Sequence, residues 1–269
     1  MNIKNMISSP FDLTGRSAFV AGACGKIGRA ICGVLANLGC NVVVADLQEN
    51  DCTALVAELG QTTDGCHLAA PGDLTQEGEL CAALRTGSAL GPLHIVVHCL
   101  GIISSVPVPG YAVPFADQTL EAWDMAIRTN LTSAFLLAKY AYEYMEKEDR
   151  SSVIFLSSIY GSLGPNWSLY EGTSMGNPVA YGASKGGLEQ LTRYLATQWA
   201  PGVRVNCVSP GGIERGQPEE FIRRYENLTP LKRMAHPDDV AGPVAFLSSD
   251  AAKYITGQNI MVDGGWSIW

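Results

Sequence analysis

Seven short apolar runs punctuate the chain: Ser17–Ala21, Asn41–Ala45, Cys66–Ala69, His94–Cys99, Ser152–Leu156, Val203–Val208 and Asn259–Val262. Most are nearly continuous in Val, Ile, Leu, Phe or Ala instead of alternating with polar residues. A strand that is apolar on both sides must be covered on both sides, which is the condition of a parallel sheet between two layers of helices. The intervening stretches near 28–38, 52–59, 76–90, 120–147, 181–199, 219–227 and 237–248 read as helices. Pro237-Asp238-Asp239 is a helix start, with proline in the first turn and carboxylates at the positive end of the dipole. Strand–helix alternation through the whole length predicts a doubly wound α/β sheet.

The 269 residues allow one large domain or two small ones. No composition shift, linker or repeat divides them, so a single domain over 1–269 is expected, with residues 1–12 as an N-terminal extension. Two loops are long, Ile102–Thr119 and Gly161–Val179, and long loops in compact domains are usually functional.

Apolar residues form 47 % of the chain and charged residues 16 %, which excludes a disordered, acidic solvating chain. Lys and Arg total 18 against 26 Asp and Glu, a net charge of −8. With no local basic patch, nucleic acid and anionic membranes are not expected partners. No secretory signal and no run of 18 apolar residues is found, and a cytoplasmic location is expected. The eight cysteines at 24, 32, 40, 52, 66, 81, 99 and 207 contain no Cys-x-x-Cys. They read as reduced thiols, and no metal site is expected.

After the first strand comes Ala21-Gly22-Ala23-Cys24-Gly25-Lys26-Ile27-Gly28, opening into an amphipathic helix. Glycines here allow a tight turn and let backbone N–H groups approach a pyrophosphate at the helix N-terminus. The second strand ends at Asp46, 18 residues past Gly28. A carboxylate there accepts from adenosine ribose hydroxyls and repels a 2′-phosphate. That favours NAD over NADP, although Lys26 in the turn is also placed to reach a phosphate.

Tyr181-Gly182-Ala183-Ser184-Lys185 opens another helix. Side chains at i and i+4 lie on one face, so Lys185 falls near the Tyr181 phenol. A phenol of pKa ~10 is a poor acid–base at neutral pH, and a neighbouring cation favours its phenolate. That pairing suits proton exchange with an alcohol or ketone. The strand Val153–Leu156 runs into Ser157-Ser158, at the carboxyl end where ligands of open α/β sheets sit.

With these motifs the chain from Leu13 to Gly265 resembles the classical short-chain dehydrogenase/reductases, which implies a Rossmann-type single domain with a mostly parallel seven-stranded sheet and helices on both faces. The resemblance implies catalytic roles for Asn130, Ser158, Tyr181 and Lys185. Tyr181 would transfer the proton while the nicotinamide carries the hydride, and Lys185 would lower the tyrosine pKa and hold the ribose. Ser158 would orient the substrate oxygen, and Asn130 would hold a water in the proton relay. The implied cofactor contacts are Gly22, Gly25, Lys26, Ile27, Gly28, Asp46, Gly101, Tyr181, Lys185 and the turn Pro210-Gly211-Gly212-Ile213, with Asp73 and Leu74 beside the adenine.

The chain departs from the family pattern at several places. Ala21 replaces the usual Thr, Lys26 holds the middle glycine position, and glycines 22, 25 and 28 follow the spacing of the extended branch. The usual Asn-Asn-Ala-Gly is His98-Cys99-Leu100-Gly101, with His98 expected to be structural. Arg215 replaces the threonine four residues after Pro-Gly, which puts the cofactor amide clamp in question.

Gly161–Val179 lies between Ser158 and Tyr181 and is expected to be a substrate loop, with Tyr160, Trp167 and Tyr170 as contacts and Glu171 accepting from hydroxyls; an oligomer contact is the other reading. Together with Gly211-Gly212-Ile213 and Gln217-Pro218, it faintly resembles members linked to bacterial surface-sugar and flagellin-modification pathways. A polar, sugar-like alcohol or ketone is therefore the expected substrate, with a 3-oxoacyl thioester as the alternative. The family usually forms tetramers through helices here near 120–147 and 181–199. Two other readings compete. A non-catalytic nucleotide sensor is expected to lack the tyrosine or lysine, and an extended-type epimerase or dehydratase needs more chain after Gly265.

Overall fold

The computed structural model describes residues 9–103, 107–147, 151–173 and 175–269. Residues 1–8 of the expected N-terminal extension lie outside this range, as do single short stretches of the two long loops.

The apolar runs form β1 (Ser17–Ala21), β2 (Asn41–Ala45), β3 (Leu68–Ala69), β4 (Ile95–His98), β5 (Ser151–Leu156), β6 (Val203–Pro210) and β7 (Asn259–Val262). They make one sheet in the order β3-β2-β1-β4-β5-β6-β7, with every pairing parallel. The helices are α1 (Lys26–Asn37), α2 (Glu49–Thr62), α3 (Glu77–Gly87), α4 (Leu120–Ile127), α5 (Ser133–Ala141), α6 (Ile159–Ser162), α7 (Val179–Trp199), α8 (Glu219–Leu228) and α9 (Pro237–Ser248).

Strand residues divide between the two faces with a period of two, as the pleat requires. Ala18, Val20, Val42, Val44 and Ile154 pack with Ile31 and Leu35 of α1 and Val240 and Val244 of α9. Phe19, Val43, Val96, Val153 and Phe155 point the other way, onto Leu84 of α3, Leu137 of α5 and Leu188 and Leu195 of α7. Phe19 and Phe155 have no solvent exposure, and truncating either to alanine is expected to destabilise the fold by about 3–5 kcal/mol.

The stretch 120–147, expected as one helix, is interrupted. A π turn, Arg128–Thr132, separates α4 from α5, and a 3-10 turn, Tyr142–Tyr144, follows α5. The wider turn admits an extra residue and rotates the side chains that follow, a device that recurs at functional sites. Here it carries Asn130, which is fully buried. The two long loops also hold short 3-10 turns, Phe115–Asp117 and Trp167–Leu169.

The strand order reverses at β1, so the chain leaves β1 and β4 in opposite directions and a crevice opens beyond their carboxyl ends. The glycine turn, Gly101, Ser158 and the Pro210–Ile213 segment all follow strand ends on this edge.

Candidate active site

The glycine turn is built by close approach. Gly22 has φ +80°, and a Cβ on it would sit 2.9 Å from the Cys99 carbonyl carbon, so a side chain there would collide with the β4 exit. A Cβ on Gly28 would lie 2.2 Å from the Gly22 oxygen, so only glycine lets α1 start against β1. Gly25 caps α1 with no side-chain hydrogen bond, and the first turn carries no acid. The α1 N–H groups are thus left for an anion at the positive end of the helix. Asp46 reaches across from β2, accepting from the Cys24 N–H at 2.8 Å and the Leu47 N–H at 2.8 Å.

A cleft runs from this turn to Ser158, Tyr181 and Lys185. It is lined by Gly22, Gly25, Lys26, Ile27 and Gly28 at one end and by Gly101, Ser158, Tyr181, Lys185, Pro210, Gly211 and Ile213 at the other. Asp46, Asp73, Leu74 and Gly212 do not line this stretch. Asp73 is engaged locally, accepting from the Thr75 N–H and hydroxyl, and Leu74 is packed in the core. The α1 N-terminus, Lys26 and a nearby carboxylate suit a dinucleotide: N–H groups and an ammonium for the pyrophosphate, and Asp46 for ribose hydroxyls.

Ser158 caps α6, accepting from the Tyr160 N–H at 3.2 Å. Burial raises the Tyr181 phenol pKa above its ordinary value, while hydrogen bonding with Ser158 and the Arg215 charge pull it back down. Lys185 lies one turn further along α7, with Nζ 5.7 Å from the Tyr181 ring centroid. Its ammonium donates to the Leu156 carbonyl at 2.7 Å, and burial pushes its pKa down to about 8. The cations and hydroxyls acting on the phenol are therefore Arg215 and Ser158, with Lys185 beneath the ring.

Asn130 lines neither cavity of the site. Its Oδ1 accepts from the Ile102 N–H at 2.7 Å, and its Nδ2 donates to Ser184 Oγ at 3.0 Å. It ties the segment after β4 to α7, and so holds Gly101 against Lys185. His98, fully buried on β4, pairs Nε2 with Ser133 Oγ at 2.7 Å, and the same hydroxyl donates to the Thr129 carbonyl at 2.5 Å. This assigns the ring proton to Nε2 and leaves Nδ1 unpartnered. Burial and the Lys185 charge lower its pKa to about 3, so the imidazole is neutral. His98 is a structural link from β4 to the π turn.

A second cavity adjoins the cleft, sharing Ile103, Ser158, Tyr181, Gly211 and Arg215 with it. Its further walls include Tyr160, Tyr170, Asn177, Gly212, Gln217, Phe221, Tyr225 and Met234. The Tyr160 and Tyr170 hydroxyls meet at 3.0 Å, and Asn177 Nδ2 lies 3.4 Å from Tyr170. The loop 161–179 thus brings Tyr170 to the site. Trp167 is 59 % exposed, rests on the Tyr170 ring with centroids 5.7 Å apart, and does not line the cavity. Glu171 does not line it either; its carbonyl accepts from Arg224. Sequence reasoning missed Phe221, Tyr225 and Met234. Phe221 and Tyr225 are spaced i, i+4 on α8, a spacing that by itself carries no signal of a ligand site. Arg215 was visible only as a departure from a family pattern.

A parallel doubly wound sheet with a serine, tyrosine and lysine converging at the crevice defines an α/β oxidoreductase of the Ser-Tyr-Lys type. Residues 22–267 match the family described as Enoyl-(Acyl carrier protein) reductase. The chain is 30 % identical to Post-translational flagellin modification protein A of Campylobacter coli, over 95 % of this chain and 100 % of that one. It is 33 % identical to a tropinone reductase homolog of Arabidopsis thaliana, over 96 % and 95 %. A Brucella melitensis protein, "Short-chain dehydrogenase/reductase SDR:Glucose/ribitol dehydrogenase", superposes with a TM-score of 0.83 at 32 % identity, covering 95 % of this chain and 98 % of that one. The chain belongs to the short-chain dehydrogenase/reductase family of oxidoreductases. Among the described residues, no helix is long and apolar enough to cross a membrane.

Proposed function

We propose that this protein is an NAD(H)-dependent oxidoreductase that interconverts a secondary alcohol and a ketone on a small, polar, sugar-like molecule. The observation that carries this reading is that Ser158 and Tyr181 line both the cofactor cleft and the second cavity, with Lys185 beside them in the wall of the cleft.

The nicotinamide, when bound, supplies or accepts the hydride. Ser158 Oγ and the Tyr181 hydroxyl hold the substrate oxygen. In the reductive direction the Tyr181 phenol gives its proton to that oxygen; in the oxidative direction the phenolate takes it back. Lys185 holds a positive charge beneath the ring and would donate to the cofactor ribose. Asn130 fixes the segment carrying Gly101. Asp46 accepts from the adenosine ribose hydroxyls, and its charge disfavours a 2′-phosphate. Tyr160, Tyr170, Asn177 and Gln217 offer hydroxyl and amide hydrogen bonds, which suits a polyhydroxylated ligand better than an acyl chain. The Brucella relative described as a glucose/ribitol dehydrogenase is consistent with that choice.

A homotetramer through α4, α5 and α7 completes the reading. Leu120 and Phe135 are 69 % and 51 % exposed on the first two of these helices, and Tyr194 is 61 % exposed on the third. The deciding experiment follows absorbance at 340 nm with NAD or NADH against polyols, sugars and ketones, using Tyr181→Phe as the inactive control. Absence of Tyr181-dependent turnover with every substrate overturns the reading.

A further inference from the structure

We propose that Arg215 recognises a carboxylate on the substrate, so that the molecule turned over is a hydroxy acid or the corresponding oxo acid, with the carboxylate close to the reacting carbon. The inference rests on the oxidoreductase reading and adds a substrate class to it.

Position is the first argument. Arg215 belongs to the short set of residues, with Ser158 and Tyr181, that lines both the cofactor cleft and the second cavity. A molecule whose oxygen sits between the two hydroxyls is therefore within reach of the guanidinium. Lys26 and Lys185, the other cations of the cleft, do not line the second cavity.

Pairing is the second. Arg16, Arg29, Arg223, Arg224 and Arg233 each meet a carboxylate. The Arg215 guanidinium makes no hydrogen bond or ion pair among the described residues, and no Asp or Glu lines either cavity. In a chain with 26 acids and 18 bases, a cavity with a cation and no acid attracts an anionic ligand. Arg215 is exposed at the junction of the two cavities, so an anion entering from solvent meets the guanidinium directly.

The local backbone is braced. The Arg215 N–H donates to Gln217 Oε1 at 2.8 Å, and Gln217 Nε2 donates to the Ile213 carbonyl at 2.7 Å. These bonds fix the turn from which the side chain extends. A single planar guanidinium matches a carboxylate through two parallel hydrogen bonds. The rest of the wall includes Met175, Pro178, Phe221 and Met234 with neutral hydroxyls and amides and no second cation, which matches one carboxylate charge better than a phosphate dianion.

The test compares wild type, Arg215→Gln and Arg215→Lys on matched probes: lactate, glycerate and gluconate, each beside its primary amide, with saturating NAD. Dissociation constants for NADH, read by fluorescence, and for oxalate added to the NADH complex, read by calorimetry, accompany the kinetics. Wild type is expected to prefer acids to amides at least tenfold in kcat/KM. Because Arg215→Gln also removes a charge that acts on Tyr181 for acids and amides alike, the readout is the acid-to-amide ratio of kcat/KM. That ratio is expected to fall at least tenfold, mainly through KM for the acids, with NADH affinity within twofold of wild type and Arg215→Lys between the two. Equal losses on acid and amide, weakened NADH binding, or an amide preference in wild type overturn the proposal. If wild type turns over none of these probes, oxalate decides. Binding lost in Arg215→Gln upholds the anion site even though the alcohol reading fails, and absence of oxalate binding to wild type overturns it.

Discussion

The ammonium of Lys185 on α7 hydrogen-bonds the carbonyl of Leu156, the last residue of β5, at 2.7 Å. The bond anchors the lysine beneath the Tyr181 ring in a place almost without water, where Lys185 is 4 % exposed. Burial is the main reason that its pKa falls from 10.5 to about 8. Between pH 8 and 10.5 the unfolded chain then binds more protons than the folded one, so this group makes stability rise with pH through that window. Below pH 8 the full penalty of the buried charge is present. Lys185→Met is therefore expected to raise the melting temperature at pH 7 by a few degrees while abolishing turnover, as thermal melts and a 340 nm assay would show. In wild type, kcat/KM for ketone reduction is expected to decline above about pH 8 as the ammonium deprotonates, which a pH–rate profile would reveal.

Tyr181→Phe removes one hydroxyl from a side chain whose ring packs with Tyr111, Ala126 and Ala180. Folding and NADH affinity should survive while turnover falls about 100-fold or more. Ser158→Ala also removes the cap on the Tyr160 N–H, so a loss of roughly 1 kcal/mol of stability is expected alongside reduced turnover. Circular dichroism, NADH fluorescence and steady-state kinetics on both variants separate the two effects. Retention of most activity in Tyr181→Phe would refute the acid–base assignment.

Asp46 joins the β2 exit to the glycine turn through the Cys24 N–H. Asp46→Ser keeps a short acceptor near that N–H and removes the negative charge. Its ratio of kcat/KM for NADP over NAD is expected to rise by about tenfold or more, since a like-charge contact with a 2′-phosphate is relieved. An unchanged ratio, or a wild type that already prefers NADP, would contradict the role given to this carboxylate.

The Tyr160–Tyr170 contact joins the start of α6 to the loop before α7. Tyr170→Phe breaks it and removes the Asn177 partner, so KM for the true substrate is expected to rise about 2–10-fold, the range of one hydrogen bond. Trp167→Ala acts only through the face of Tyr170 and is expected to change KM less than twofold. Measuring both variants, with NADH affinity as the control, tests whether the loop contributes through the tyrosine.

Much of this is readable in the amino-acid sequence. The central strands are legible because a run that is apolar on both faces has few alternatives, whereas β3 at the sheet edge shortens to two residues and leaves out Cys66 and His67, and β4 leaves out His94 and Cys99. The glycine turn was legible because its glycines obey a local steric need that Gly22 and Gly28 display in the structure. Tyr181 and Lys185 were legible as a pair because one helical turn separates them.

What the sequence by itself determined was whatever depends on neighbours along the chain: the strand and helix periods, the turn at 22–28, the acid closing β2, and the tyrosine–lysine spacing. The tertiary structure alone decided which distant side chains meet. It placed a π turn at Asn130 and gave that side chain to Ile102 and Ser184. It left Trp167 outside the cavity and brought Phe221 and Tyr225 of α8 into its wall. It also set Arg215 beside Tyr181 with no carboxylate for company. The physical reason is range. Backbone sterics and periodicity act over a few residues, whereas burial and charge pairing depend on how crossovers stack helices on the sheet, and no local pattern encodes those distances.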